Sequence, residues 1–197
     1  MSVWRETPTL PGRHVTLRPL RRDDRAALLE AFAGLEVFTT FVPRPATIDG
    51  WLDQLDIDTA AGRALPFTVL DADGAVAGVT RFMRMSERHR RVAIGGTVYA
   101  RRVQRTGLNT EAKRMLLAHA FERLDANCVQ LRTDFLNHAS RRAIERLGAR
   151  LDGVLRGHLI LGGHLRDSAV YSILAHEWPG VRRNLDQLIA RYDGIPE

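Results

Sequence analysis

The stretch Val103–Leu124, "VQRTGLNTEAKRMLLAHAFERL", decides how the rest of the chain is read. Its second half places apolar residues at helical spacing, which predicts a helix from about Thr110 to Leu124. Its first half is polar and holds one glycine, Gly107, directly before that helix. The first N–H groups of a helix have no partner inside it, and the helix dipole adds partial positive charge there. A strand, a bare loop and a helix start therefore make a site for an anion, phosphate above all. Gly107 has no Cβ, so a ligand can approach its backbone closely. Arg101, Arg102 and Arg105 add positive charge to the same loop. The segment contains neither G-x-x-x-x-G-K-[ST] nor G-x-G-x-x-G, so it is not a nucleotide-triphosphate loop or a dinucleotide fingerprint. An ordinary turn capped by Thr110, with Glu111 in the first turn, explains the same residues without a ligand.

Upstream, "HVTLRPL" (14–20) alternates as a strand. "RRDDRAALLEAFAGL" (21–35) reads as a helix capped by Asp23 or Asp24, and Thr47 as the cap of another, with Trp51, Leu52 and Leu55 inward. Two strands meet at the Asp71–Gly74 turn, and a third runs from about Arg91 to Ala100. Downstream, "CVQLRTD" (128–134) reads as a strand and "NHASRRAIERLG" (137–148) as a short helix closed by Gly148. Two late strands (153–161 and 166–174) follow, then a terminal helix with Pro179 in its first turn. No repeat, linker or low-complexity tract divides the chain, so residues 1–197 are expected to form a single domain. Alternating elements with a central meander predict an α/β (α+β) fold on a mixed, largely antiparallel sheet.

The 197 residues are 45% hydrophobic, enough for a core. Nothing resembles a signal peptide or a bilayer-spanning run, which points away from membranes. Cys128 is the single cysteine, which excludes an internal disulfide framework or cysteine cluster and fits a cytoplasmic setting. The seven histidines show no metal-ligand spacing, so no metal is expected. The net charge is +6, and nearly all the positive charge is arginine, because Lys113 is the only lysine. Arginine is the better bidentate partner for phosphate, although the same excess also fits an ordinary solvated surface.

The opening stretch, followed by "VQLRTDFLNHASRRAIERLGARLDGVLRGHLI" (129–160), resembles the GCN5-related N-acetyltransferase (GNAT) superfamily, in particular its ribosomal-protein N-terminal acetyltransferase branch. The likeness runs from "HVTLRPLRRDD" to "RDSAVYSIL", most of the chain. It implies a mixed, mostly antiparallel sheet flanked by helices, with splayed central strands. It also implies acetyl-coenzyme A as cosubstrate, held in a ternary complex with an amine acceptor. In the superfamily a Q/R-x-x-G-x-G/A segment wraps the pyrophosphate. Here it corresponds to Gln104, Arg105, Thr106, Gly107, Leu108 and Asn109, with Thr110 following. Asn109 departs from the usual Gly or Ala. By the same likeness, main-chain groups at Val98 and Tyr99 would bond the pantetheine arm, Asn137 would hydrogen-bond it, and Ser140 would lie near the thioester sulfur. Arg141 or Arg142 would reach the adenosine phosphates. Each has a plainer reading: Asn137 as a helix cap, Ser140 as a small first-turn residue, the arginines as a solvated face.

Direct transfer needs a neutral amine and a proton acceptor. Glu87, His89, Asp134, His138 and His158 are the candidates, with Asp134 at a strand end and Glu87 in a loop between strands. Ser140 is the candidate proton donor to the leaving thiolate. The acceptor, a protein N-terminus or a small amine, would be read by Phe38–Trp51 and Ser86–Arg91, with Phe38, Phe41 and Trp51 as an apolar lining. Relatives implied by the likeness are often homodimers. Two other readings compete. One is a non-catalytic acyl-coenzyme A sensor of the same fold. The other is a nucleic-acid-binding domain, disfavoured because no aromatic-basic recognition motif is present.

Overall fold

The computed structural model describes residues 2–35, 47–161 and 163–194. Eight strands form one sheet: β1 (Leu10–Pro11), β2 (Val15–Pro19), β3 (Ala64–Asp71), β4 (Val76–Ser86), β5 (Arg91–Tyr99), β6 (Cys128–Asp134), β7 (Arg150–Leu161) and β8 (His164–Leu174). Their order is β1-β2-β3-β4-β5-β6-β8-β7. Neighbours are antiparallel except β5 and β6, so the sheet is mixed and mostly antiparallel, as expected. A parallel pair needs a long crossover. The quoted segment supplies it as helix α3 (Leu108–Ala118), extended by a π turn over His119–Arg123. The other α-helices among the described residues are α1 (Arg25–Ala31), α2 (Ile48–Ala60), α4 (His138–Arg146) and α5 (Trp178–Tyr192).

The main core lies on the face covered by α3, α4 and α5. Alternate residues of the central strands, Phe82, Val92, Ile94, Val129, Leu131 and Tyr171, meet Leu116, Leu117, Ile144 and Leu185 there. Burial on this scale contributes roughly 1.5–3 kcal/mol per large side chain. The opposite face carries a smaller cluster of Leu28, Val79 and Val98, flanked by Phe32, Ile48 and Trp51 of α1 and α2.

Thr47 caps α2 as expected, accepting a hydrogen bond from Gly50 N at 3.0 Å. Asp24 does not cap α1. Its carboxylate instead accepts from Arg18 Nη2 at 2.5 Å and Thr68 Oγ1 at 2.6 Å, fastening the α1 end to β2 and β3. Burial would raise its pKa, but these bonds and that from Arg21 N outweigh it and hold the carboxyl below its ordinary value. α3 starts at Leu108 rather than Thr110; Gly107 occupies the cap position and no side chain caps the helix. Phe38 and Phe41 lie outside the described residues.

The decisive feature is where β5 leaves β6. They pair only from Arg91↔Cys128 to Ile94↔Leu131. Beyond Ile94 a bulge intervenes: Gly95 faces Arg81 and Val98 faces Val79, so Gly96 and Thr97 together oppose Thr80. Gly96 has φ +57, a conformation L side chains rarely adopt. β6 meanwhile stays with β8 as far as Asp134↔Ser168. The two central strands therefore diverge, and the gap opens toward the start of α3.

Candidate active site

A cavity of about 1310 Å³ fills that gap. It exceeds the usual range for a single small-ligand pocket, roughly 300–1,000 Å³. On the side of α3 and α4 it is walled by Val98, Tyr99, Gln104, Arg105, Asn109, Asn137 and Ser140. Seven of the residues singled out from the sequence thus meet in one wall. On the side of α1 and α2 it is walled by Trp51, Arg81, Arg132 and His158, among others. The cavity is lined by residues from both faces of the sheet around the splayed strands.

The loop is shaped by its own side chains. Arg101–Val103 makes a 3-10 turn, and Arg105 takes φ +63. Gln104 Nε2 donates to Tyr99 O at 3.1 Å, and Thr106 Oγ1 donates to Val103 O at 2.8 Å. Leu108 N in turn bonds Thr106 Oγ1 at 3.3 Å. The left-handed residue is therefore Arg105, while Gly107 has helical φ −65. A Cβ at Gly107 would meet Tyr192 at 3.2 Å and His14 at 3.3 Å. α5 thus packs against Gly107 from behind, a packing constraint that stands beside the expectation that its missing side chain serves ligand approach. Thr106, Gly107, Leu108 and Thr110 are not in the cavity wall; Thr110 is fully buried and accepts from Arg146 Nη2 at 3.0 Å.

Asn137 caps α4, accepting from Ser140 N at 2.9 Å, and this bond fixes the first turn so that both residues face the cavity. Arg141 is engaged internally: it donates to Tyr171 Oη at 3.0 Å and Phe135 O at 3.2 Å, and its guanidinium lies 4.6 Å over the Phe135 ring. Arg142 is exposed and outside the wall. Arg102 pairs with Asp71 and donates to Val76 O.

Among the proton-acceptor candidates, the structure brings only His158 to the cavity. One ring nitrogen, Nδ1, lies 2.9 Å from Ser168 Oγ. Burial lowers its pKa, and the nearby charges of Arg132, Arg84 and Arg166 lower it further, so the ring is neutral at neutral pH. Asp134 accepts from Leu136 N at 2.8 Å and lies 3.5 Å from Arg166 Nε, outside the wall. Glu87 sits at the β4–β5 turn, where its carboxylate accepts from Ser2 Oγ at 2.7 Å. That turn is at the paired end of β5, away from the splay. Cys128 is half-buried and burial raises its thiol pKa, which suits packing rather than nucleophilic attack.

One wall residue escaped the sequence reading. Lys113 is 6% exposed, and its Nζ donates to Thr97 Oγ1 at 2.7 Å and Thr80 Oγ1 at 3.3 Å, with no carboxylate among its described partners. Burial pushes its pKa down to about 7. The signal was present in the chain: the only lysine falls on the apolar stripe of α3, beside Ala112, Leu116 and Leu117.

The site thus combines a splayed parallel strand pair, a helix start whose N-cap residue offers no side-chain cap, and a cavity lined from both faces of a mixed α/β sheet. Residues 14–150 match the model of the acetyltransferase (GNAT) domain family. The chain belongs to that family and is an acetyltransferase. It is 28% identical over 175 residues to YdaF of Bacillus subtilis (strain 168), covering 85% of this chain and 94% of that protein, whose name assigns it provisionally to ribosomal N-acetylation. The crystal structure of a GCN5-related N-acetyltransferase from Brucella melitensis superposes with TM-score 0.84 at 30% identity, over 94% of this chain and 86% of that one. Mycobacterium smegmatis RimJ, solved with CoA-disulfide, superposes with TM-score 0.80 at 25% identity, over 94% and 95%.

Proposed function

We propose that this chain transfers acetyl from acetyl-coenzyme A to a primary amine by direct attack, with the two substrates entering the cavity from opposite faces of the sheet. The observation that carries the reading is the gap itself. Beyond Ile94 and Leu131 the facing edges of β5 and β6 no longer pair, and the gap ends at an uncapped helix start. Unpaired strand edges supply hydrogen-bonding groups for an extended amide-containing arm, and the helix start favours its diphosphate. The residues present fit this ligand: Arg105 adds charge at the loop, and Asn137 and Ser140 place polar groups on the wall between.

Bound acetyl-coenzyme A supplies a thioester, at whose carbonyl carbon the amine forms an N–C bond as the C–S bond breaks. The chain's own groups then handle the protons. Neutral His158 accepts the proton released by the amine. Ser140 donates toward the departing sulfur. A main-chain N–H of the β5 segment Gly95–Tyr99 would donate to the carbonyl oxygen, where charge grows during transfer. Trp51 gives the acceptor side an apolar wall.

The test has two stages. Calorimetric titration with coenzyme A should show one site per chain. With acetyl-coenzyme A and a panel of primary amines, free thiol should then appear in equal amount to acetylated amine. Binding without any transfer across peptides, polyamines and amino acids would refute the enzyme mechanism.

A further inference from the structure

Several described arginines of this chain, buried or exposed, lie on a carboxylate. Arg18 lies on Asp24, Arg102 on Asp71, and even the exposed Arg22 and Arg25 lie on Asp53, Asp56 and Asp49. The cavity is different. Its described wall includes Arg81, Arg84, Arg105, Lys113, Arg132 and Arg166, and no Asp or Glu. The Nε atoms of Arg81 and Arg132 are buried without a hydrogen-bond partner. Arg132 reaches only Gln130, by Nη2 at 3.3 Å. Arg166 already has Asp134 at 3.5 Å. Burial disfavours the charged form of Arg81, Arg132 and Arg166 alike. Asp58 favours the Arg81 cation through its charge, while the charges of Arg84 and Arg91 disfavour the Arg132 cation. Partly buried guanidinium groups whose Nε atoms lack acceptors are disfavoured, so the fold itself gains little from this arrangement.

The position of these cations separates them from the phosphates of coenzyme A. Arg105 and the helix start lie beyond Tyr99, at the open end of the gap. Arg81 and Arg132 lie at its root: Arg81 pairs with Gly95, and Arg132 follows Leu131, the last residue of β6 that pairs with β5. Alternation then fixes their face. Thr80, Phe82, Leu131 and Thr133 are buried on or beside the α3 face, so Arg81 and Arg132 project to the opposite side, toward α1 and α2. His158, whose pKa Arg132, Arg84 and Arg166 depress, sits in the same group.

We infer that the acceptor is an amine that itself carries carboxylate groups, seated against Arg81, Arg84 and Arg132 on the α1–α2 side of the sheet. This rests on the transferase reading above. A carboxylate matches the planar fork of a guanidinium and supplies both the acceptor that the Nε atoms of Arg81 and Arg132 lack and a close negative charge. The same charges exclude polyamines and basic peptides by like-charge repulsion, and they hold the attacking amine in its neutral form.

The test is equilibrium binding to protein saturated with coenzyme A. The amide-capped tripeptide Ala-Asp-Glu is compared with its uncharged counterpart Ala-Asn-Gln, with free glutamate and with spermidine. The acidic peptide or free glutamate should bind about tenfold or more tightly than the uncharged peptide, and spermidine least. The preference should shrink as salt rises. R132Q and R81Q should each bring the ratio of acidic to uncharged peptide near one while coenzyme A affinity stays within about twofold; R132K should restore part of the ratio. R84Q, at an exposed position, should lower the ratio even where a buried substitution prevents folding. Equal binding of the charged and uncharged peptides, or a preference for spermidine, overturns the inference and leaves the transferase reading standing. Failure to bind coenzyme A at all overturns both.

Discussion

Lys113 shows what one residue can cost its own fold. Its ammonium has only two threonine hydroxyls in place of water, and its pKa falls from 10.5 to about 7. Between those values the unfolded chain binds more protons than the folded one, so stability rises with pH across that window; below it the penalty is complete. Lys113→Met should therefore raise the melting temperature at pH 7, by the equivalent of on the order of a few kcal/mol, and flatten the rise between pH 7 and 10 expected of the wild type. Thermal melts of both proteins across that range check this, and parallel curves would show that the lysine is solvated. His158 is the residue on which the pH profile depends. Its lowered pKa predicts an acid limb in kcat/KM with a midpoint below 6.5, the ordinary histidine value. His158→Gln should remove that limb and leave the one set by an amine acceptor near ~8. A variant that kept the acid limb would assign the proton to another group.

At the scale of elements, the bulge in β5 builds the site. Gly96 holds φ +57, and a Cβ there would meet Arg81 Nε at 2.8 Å. Gly96→Ala thus strains the backbone and pushes on Arg81 together. A loss of about 1 kcal/mol or more in stability is expected, with a drop of tenfold or more in acetyl transfer and a smaller change in coenzyme A affinity. Full activity in Gly96→Ala would show that the divergence of β5 and β6 does not depend on the bulge. α4 makes the opposite case. Its N-cap bond from Ser140 N to Asn137 was readable as a plain cap, and the structure shows that bond formed. Capping and lining the cavity are compatible there, because one turn does both.

At the scale of the molecule, the anion loop is braced from behind by parts distant in the chain. Glu111 of α3 accepts from Arg13 N at 2.9 Å and His14 N at 2.6 Å. His14 and Arg13 in turn meet Asp193 at 2.8 and 3.0 Å, just after α5. Tyr192 covers Gly107. Gly107→Val should therefore displace α5 as well as the loop, lowering the melting temperature by an amount equivalent to about 1–3 kcal/mol and weakening coenzyme A binding. Weak binding with an unchanged melting temperature would return Gly107 to the role of a ligand-facing glycine.

The sequence by itself determined the order of elements, the caps at Thr47 and Asn137, the turn at Asp71–Gly74 and the crossover helix, because these depend on neighbours within a few residues. Its resemblance to the GNAT superfamily also marked Gln104, Arg105, Asn109, Asn137 and Ser140, because a family likeness is carried by short local segments. Only the tertiary structure decided that β5 leaves β6 after Ile94 and that Gly107 is held by Tyr192. It alone separated His158 from Asp134 and Glu87, and it alone gathered Arg81, Arg132 and Lys113 around one space with no carboxylate in its described wall. Those facts are set by strand pairing and by burial between residues far apart in the chain, and no short stretch of sequence encodes either.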